Sequence, residues 1–329
     1  MLKRKKNKQK HTCEVSDEEL REFCYNVTQS IKLFGCGPAG CSFINDCVKW
    51  NMHGIDLYAV GSDIHQLNHI NSPNKILLGP ESVRRLYDKP QSLLNEGLSK
   101  EDENEIRDII LGDEIVFVIG AMGDGIGTYL IPAISRIAKG SGVMSVAYVT
   151  KPFSREGDNR MHEADWGIQH LLNIADTTFV VENDKLLEIV PRLPPYSQFT
   201  VAVDNFVSLL KGIVEIFTKV GIVNMDPMDL KSIFRSSSIG YIGMGKSDSD
   251  NRISEAVDEV LNFSLTDMVP SKVGGALINI TGGEDMSIRE AERAVIMICE
   301  RINPNAQIIW GAQVNPNLDR AVEILAILK

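Results

Sequence analysis

Two glycine-rich turns in the sequence have the composition of phosphate-binding sites. The first is Gly35-Cys-Gly37-Pro-Ala-Gly40, and the second runs from Gly120 to Thr128, with further glycines at positions 123, 125 and 127. Each turn lies between an apolar run of strand length and a helical pattern. Glycine suits such a turn because a Cβ atom would hold the backbone N–H groups away from phosphate oxygens, and the start of a helix favours a bound anion.

The two turns together favour a nucleoside di- or triphosphate as the ligand. A purely structural loop explains either turn alone but explains both poorly. The first turn alone also fits a nicotinamide oxidoreductase, with Asp56 or Asp63 as the acid about 20 residues further on that would bind the ribose. The second turn counts against this alternative, and a failure to bind NAD would exclude it.

Strand and helix patterns alternate along the first half of the chain and place both turns. Strand patterns cover residues 31–34, 57–60, 115–119, 143–149 and 178–181, and helical patterns cover 42–50, 100–111, the segment from the second turn to 138, and 161–174. Ser99 and Asp102 form a capping-box signature for the second of these helices. Continuous apolar strands that alternate with helices predict a parallel sheet covered on both faces.

The stretch from Tyr196 to Val220 contains no proline and a single glycine. Its apolar residues recur at helical spacing over a wide face, which predicts a helix about 37 Å long that is buried on several sides, as between two domains. Beyond it, helical patterns begin at 227, 252 and 287, and strand patterns cover 239–244, 276–281, 307–311 and 321–328. We predict an α/β protein with a basic arm and short helix (1–29), a nucleotide-binding domain (30–195), a central helix (196–220) and a smaller α/β domain (221–329).

The charge is unevenly distributed along the chain. The first ten residues contain six cations and no acid, so removing them from the formal net charge of −10 leaves −16 for residues 11–329. This net negative charge argues against a surface that binds nucleic acid over the whole molecule. We interpret the arm as a solvated terminus, with a weak electrostatic tether to anionic lipid or nucleic acid as the alternative. The arm lacks the apolar segment of a secretory signal, and no apolar run approaches the roughly 20 residues that span a bilayer.

The six cysteines contain no C-x-x-C pair. Their spacing does not fit a zinc site, and we predict free, mostly buried thiols in a reducing cytoplasm.

An ordered set of motifs resembles the tubulin/FtsZ superfamily, on the FtsZ side. Segments that match the family's motifs in order are 123–129 (the G-G-G-T-G-[ST]-G signature), 149–161 (the ribose-contacting turn), 183–189, 204–206, 221–231 (the N-x-D-x-x-D loop) and 277–283. The resemblance extends from about residue 30 to residue 329, and it indicates a divergent FtsZ-like protein, with an archaeal source as one option. It implies the tubulin/FtsZ fold, with a Rossmann-like GTPase domain, a long central helix and a C-terminal α/β domain.

The resemblance also implies a reaction that is divided between two subunits. One subunit would hold GTP on its glycine turns, and the next would insert its N-x-D-x-x-D loop. Asn224 would orient water, and Asp226 and Asp229 would polarise that water or hold a cation. The alternative, helix capping, fits Asp226 before Pro227 but explains neither of the other two residues.

The nucleotide-binding residues implied by the resemblance lie on both turns and on three later segments. Glu156 and Arg160 would hold the ribose, with a surface ion pair as the alternative, and Asp204 would accept hydrogen bonds from guanine N1–H and its amine. The full set is Gly35, Gly37, Pro38, Ala39, Gly40, Cys41, Ser42, Gly123, Asp124, Gly125, Ile126, Gly127, Thr128, Glu156, Arg160, Asn183 and Asp204.

Several residues depart from the family's pattern at the phosphate turns. Pro38 lacks an N–H donor, Ser42 replaces an asparagine that contacts the base, and Asp124 replaces a glycine beside the phosphates, where a carboxylate is repulsive unless a cation bridges it or it points away. The segment 84–90 aligns with a further phosphate loop but contains no glycine, so Arg84 or Arg85 is a candidate replacement.

We predict a cytoplasmic GTPase that binds GTP and GDP together with Mg²⁺. We expect no metal site that is built from protein ligands alone. Its partner would be a second copy of itself in a head-to-tail filament for cell division or a related cytoskeletal role. The alternative is a divergent relative with weak or no hydrolysis that co-assembles with another FtsZ-family protein. No specific nucleic acid is expected, and membrane contact would be indirect, or weak through the arm.

Overall fold

The described residues of the computed structural model are 31–49, 55–88, 97–189, 203–204, 206–214, 221–225, 227–234, 238–262 and 269–329. The basic arm, the leading helix and Asp226 therefore lie outside the described residues. The strands are β1 Ile31–Cys36, β2 Asp56–Gly61, β3 Asn74–Leu77, β4 Ile115–Ala121, β5 Met144–Lys151, β6 Thr177–Glu182, β7 Ser238–Ser247, β8 Gly275–Gly282, β9 Gln307–Val314 and β10 Val322–Leu328. They form one sheet in the order β3-β2-β1-β4-β5-β6-β7-β10-β8-β9.

The first six strands of this order are parallel, as the sequence predicts. The central strand β4 is buried from Ile115 to Gly120, because helices cover both faces of the sheet there. Strand β7 links the two halves of the sheet: its first residues pair in parallel with β6, and Tyr241–Ser247 pair antiparallel with β10.

Helices flank the sheet along the described part of the chain. They are α1 Gly37–Lys49, α2 Ile64–Asn68, α3 Pro80–Asp88, α4 Lys100–Ile110, α5 Ile126–Gly140, α6 Asp158–Leu172, α7 Asn183–Ile189, α8 Pro227–Phe234, α9 Arg252–Asn262 and α10 Ile288–Cys299. In the described part of the chain, no helix is long and apolar enough to cross a membrane.

Helix α1 begins at Gly37, five residues before the predicted start at residue 42. Proline is tolerated in the first helical turn, and the glycines allow that turn to pack closely on the sheet. A Cβ atom on Gly40 would lie 2.5 Å from the Ile119 carbonyl oxygen, and one on Gly35 would lie 2.4 Å from that of Gly40. Tertiary packing therefore overrides the poor helix propensity of this segment.

The described part of the central helix, residues 203–204 and 206–214, is helical. Phe206 is fully buried and its ring contacts Phe117 of β4 and Tyr148 of β5. The same apolar cluster includes Leu325 and Ile327 of β10. The central helix thus joins the parallel part of the sheet to the C-terminal strands.

Candidate functional site

The two glycine turns are in direct contact. They lie at the carboxyl ends of β1 and β4, which are adjacent and parallel. Gly37 has a φ of +69°, and a Cβ atom there would lie 3.2 Å from the Gly127 nitrogen and 3.4 Å from Ile126 Cβ. The predicted pair of turns therefore forms one continuous cradle at the edge of the sheet where α/β proteins bind ligands.

Pro38, Ala39 and Ser42 lie on the solvent-accessible side of the first turn. The side chain of Cys41 faces the core instead. The Cys41 thiol is fully buried and donates weak hydrogen bonds to the carbonyls of Gly35 and Val60, at 3.7 and 3.6 Å. Burial raises its pKa to about 11. The Ser42 hydroxyl donates to the Pro38 carbonyl at 3.1 Å. Among the side chains predicted to bind nucleotide, that of Cys41 is thus turned away from the cradle.

The second turn depends on glycine at two positions and on the hydroxyl of Thr128. Gly123 has a φ of +78°, and a Cβ atom on it would lie 2.5 Å from the Arg160 carbonyl oxygen. A Cβ atom on Gly127 would lie 2.3 Å from the Ala121 carbonyl oxygen. The Gly123 N–H donates to Thr128 Oγ1 at 2.8 Å. The turn is therefore closed internally at the start of α5.

Asp124 folds back onto its own turn. Its Oδ1 accepts a hydrogen bond from the Gly127 N–H at 2.8 Å, while Oδ2 is buried without a hydrogen-bond partner. Burial raises the pKa of Asp124 to about 6, although the Gly127 N–H and the charge of Arg160 oppose this shift. The Asp124 carboxylate thus accepts a hydrogen bond from an N–H group at the start of α5, in the place where a bound anion would otherwise accept it.

Arg160 braces the second turn from α6. Its Nε donates to the Gly123 carbonyl at 3.1 Å, and its guanidinium forms an ion pair with Glu156. Glu156 Oε1 in turn accepts from the Phe153 N–H at 2.8 Å. The ion pair between Glu156 and Arg160, which is the alternative to a role in ribose binding, is present. Arg160 also contacts the second turn directly.

Two buried oxygen atoms lie on the side predicted to hold the base. Asn183 Oδ1, at the start of α7, and Asp204 Oδ1, on the central helix, are both buried without a hydrogen-bond partner. Burial raises the pKa of Asp204, and so does the charge of Asp46 on α1. Buried acceptors without donors are rare in folded proteins. The N1–H and amine of a guanine base are donors of the kind that these oxygens lack.

The loop with the predicted catalytic residues is fixed to β9 and to its own backbone. The N–H groups of Ile222 and Val223 donate to the Ala312 carbonyl at 2.7 and 3.2 Å. Asn224 is exposed, and its Oδ1 accepts from the Gly221 N–H at 2.6 Å. Asp229 lies half-buried in the first turn of α8.

Helix α8 lies near the amino ends of the parallel strands, whereas the cradle lies at their carboxyl ends. Lys231 forms an ion pair of 2.9 Å with Glu114, which precedes β4, and the Thr177 hydroxyl at the start of β6 donates to the Phe234 carbonyl at 2.7 Å. The glycine turns follow the carboxyl ends of β1 and β4, and both strands run in the same direction as β6. Since β4 has seven residues, about 23 Å of strand separates the two sites. One chain therefore cannot bring Asp229 to its own cradle.

The described part of the segment aligned with a further phosphate loop, residues 84–88, is helical, and residues 89 and 90 lie outside the described residues. Residues 80–88 form α3, and Arg85 donates to the carbonyls of Gly97 and Leu98 at 2.9 and 3.0 Å and pairs with Glu81. The Arg85 guanidinium therefore makes its contacts within the fold.

Comparison with known proteins places this arrangement in a family. Residues 30–191 match the GTPase domain of the Tubulin/FtsZ family, and residues 239–329 match the C-terminal domain of the FtsZ family. The cell division protein FtsZ 1 of Pyrococcus furiosus is 36% identical over 312 residues, which cover 95% of this chain and 84% of that protein. The chain belongs to the FtsZ family. It is an FtsZ-like GTPase that binds GTP and GDP and self-associates into filaments, and the alternative without hydrolysis is not favoured.

Solved structures agree with this assignment. An empty FtsZ dimer of M. jannaschii superposes with a TM-score of 0.81 at 36% identity, covering 95% of this chain and 91% of that one. A protofilament of CetZ2 from Haloferax volcanii has a TM-score of 0.72 at 17% identity, covering 91% of this chain and 92% of that one. At this low identity the likeness shows a shared fold only. The predicted tubulin/FtsZ fold is confirmed. The nicotinamide alternative is not supported.

Proposed function

We propose that this FtsZ-like GTPase hydrolyses GTP between two subunits of a head-to-tail filament, for cell division or a related cytoskeletal role. The proposal rests on the separation of the cradle from the catalytic loop, because the two lie at opposite ends of the parallel strands. A head-to-tail contact brings the loop of one copy to the cradle of the next and propagates as an open filament. The similarity to cell division proteins of the FtsZ family supports the proposed cellular process.

We assign the roles within the site as follows. The backbone of residues 35–42 and 123–128 holds the phosphates, and Glu156 with Arg160 lies at the ribose. Asp204 and Asn183 accept hydrogen bonds from guanine. In the next subunit, Asn224 and Asp229 orient and polarise the attacking water, together with Asp226 outside the described residues. Positioning and charge stabilisation supply most of the catalysis in phosphoryl transfer.

Mg²⁺ fits this site as a companion of the nucleotide. The described residues contain no cluster of three or more His, Cys, Asp or Glu side chains that could hold a metal ion. Mg²⁺ bound to nucleotides takes many of its ligands from phosphates and water, so the protein need not supply a complete site. Its charge would offset the negative charge that gathers on the phosphates.

We place the protein in the cytoplasm, with a second copy of itself as its main partner. The described cysteines are free thiols, and Cys36, Cys41 and Cys47 are buried, which suits a reducing compartment. We keep a solvated terminus as the interpretation of the basic arm, with a weak contact to anionic lipid as the alternative, and another FtsZ-family protein as a candidate partner. Under the lipid alternative, deletion of residues 1–12 should lower binding to anionic liposomes, and unchanged binding would remove the tether.

The Asp229→Asn variant tests the proposed reaction. We expect GTP affinity in isothermal titration to equal that of the wild type, because the cradle of the same subunit is intact. Turnover should fall by about a hundredfold or more, because a residue that positions or activates the nucleophile is lost. Asp248→Asn, an exposed substitution of the same kind after β7, is the matched control. Wild-type turnover in Asp229→Asn would overturn the proposal.

A further inference from the structure

Lys329 links three elements that are far apart in sequence. Its side chain is buried, and its Nζ donates to the Asp176 carbonyl at 2.8 Å, to Thr177 Oγ1 at 2.6 Å and to the Phe234 carbonyl. Its backbone is fixed as well, because its N–H donates to the Gly275 carbonyl at 2.8 Å. The ammonium group therefore connects the last strand to the start of β6 and to the end of α8.

A lysine at this position is costly for the fold. Burial lowers the pKa of Lys329 to about 8, and only the charge of Asp176 opposes that shift. None of its hydrogen-bond acceptors is a carboxylate oxygen. The strand that precedes it, β10, is almost wholly apolar and buried. A side chain that only filled space here would be apolar too, because burying a charged group is unfavourable unless its contacts compensate.

One of the three acceptors of the Lys329 ammonium group belongs to the helix that carries Asp229. The Phe234 carbonyl ends α8 and accepts hydrogen bonds from both Lys329 and Thr177. A cation at the carboxyl end of a helix is favoured by the helix dipole. Helix α8 has eight residues and is about 12 Å long, so a tilt at Phe234 would displace Asp229 and the preceding loop.

We infer that Lys329 is a positioning residue for GTP hydrolysis: its ammonium group fixes α8, and with it the catalytic loop, for the cradle of the neighbouring subunit. The inference rests on the proposed function, since it assigns a support to the loop that acts in trans. It predicts a selective defect. Nucleotide binding in the same subunit depends on the opposite edge of the sheet and should not change when Lys329 is replaced.

Lys329→Met is the main test because methionine keeps much of the length and packing of lysine and removes the donor. We would measure the GTP dissociation constant, thermal unfolding, the pelleted fraction, and kcat per assembled subunit. We expect an unchanged GTP dissociation constant and a fall in kcat of about ten- to a hundredfold, the scale of a displaced catalytic group. Lys272→Met, at an exposed lysine of the same domain, should match the wild type.

Thr177→Val provides a second variant that removes the other donor to the Phe234 carbonyl, and we expect a smaller fall in kcat at unchanged GTP affinity. Unchanged kcat per assembled subunit in both variants, with Asp229→Asn inactive, would overturn the role of Lys329 and leave the proposed function intact. A loss of GTP affinity in parallel with thermal stability would also overturn it, because that pattern marks a general folding role. Full activity of Asp229→Asn would instead remove the proposed function itself.

Discussion

Replacing Asp124 by asparagine should strengthen nucleotide binding at neutral pH. Asparagine has nearly the same shape and keeps an oxygen that can accept from the Gly127 N–H, so the turn should retain its geometry. The variant removes one negative charge from the phosphate cradle. At separations of about 5 Å and an effective dielectric constant of about 40, one charge pair contributes about 2 kcal/mol. Allowing for screening by Mg²⁺ and salt, we expect GDP to bind about tenfold more tightly.

The same substitution should stabilise the fold at neutral pH. Burial raises the pKa of Asp124 from 3.8 to about 6, which corresponds to about 3 kcal/mol against the ionised form. A raised folded-state pKa means that this stability is present below about pH 4 and is lost as the pH rises through about 6. The new amide NH₂ group would be buried where Oδ2 has no partner, at a cost of about 1 kcal/mol. The net gain in the free energy of unfolding at pH 7.5 should be about 1–2 kcal/mol.

Isothermal titration with GDP between pH 5 and pH 8 tests this reasoning. Wild-type affinity should fall as the pH rises through about 6, because Asp124 then becomes ionised. The ratio of the variant's affinity to that of the wild type should be near one at pH 5 and about ten at pH 7.5. Taking the ratio removes the titration of the nucleotide's own phosphates, and Asp248→Asn controls for the loss of one acidic residue. Equal affinities at pH 7.5 would refute the role of the carboxylate.

Further substitutions test the two ends of the nucleotide site and one helix cap. Gly123→Ala should abolish GTP binding in titration, because its Cβ atom would clash with the Arg160 carbonyl, whereas Gly140→Ala, where a Cβ atom meets nothing within 4 Å, should bind normally. Asp204→Asn should weaken binding of GTP and improve binding of xanthosine triphosphate, whose extra carbonyl can accept from the new amide. Ser99→Ala should lower the free energy of unfolding by about 1 kcal/mol in denaturant titration, because Ser99 caps α4.

Much of the fold could be predicted from the sequence because the strand and helix periodicities are regular. The start of α1 could not, since its glycines and Pro38 disfavour a helix locally and only contact with β4 explains it. The predicted capping box at Ser99 is half right. Ser99 accepts from the Asp102 N–H, but the Asp102 carboxylate accepts instead from the Gly79 N–H, a residue distant in sequence.

The residues proposed for the site could be selected from the sequence, but the contacts of their side chains could not. The sequence identified Asp124 as a departure without indicating that it binds the Gly127 N–H. It also raised Arg84 or Arg85 as a phosphate ligand, whereas in the structure the Arg85 side chain donates to backbone carbonyls. Lys329 carried no motif at all, because its role depends on Thr177 and Phe234, which only the folded chain brings to it.

The dependence of GTP turnover per subunit on protein concentration tests the central claim most directly. If the cradle of one subunit needs the loop of the next, turnover per subunit should be near zero in dilute solution and rise steeply once subunits associate. GTP binding should persist at every dilution, because the cradle belongs to a single chain. Turnover per subunit that stays constant down to concentrations at which light scattering detects only monomers would contradict the account.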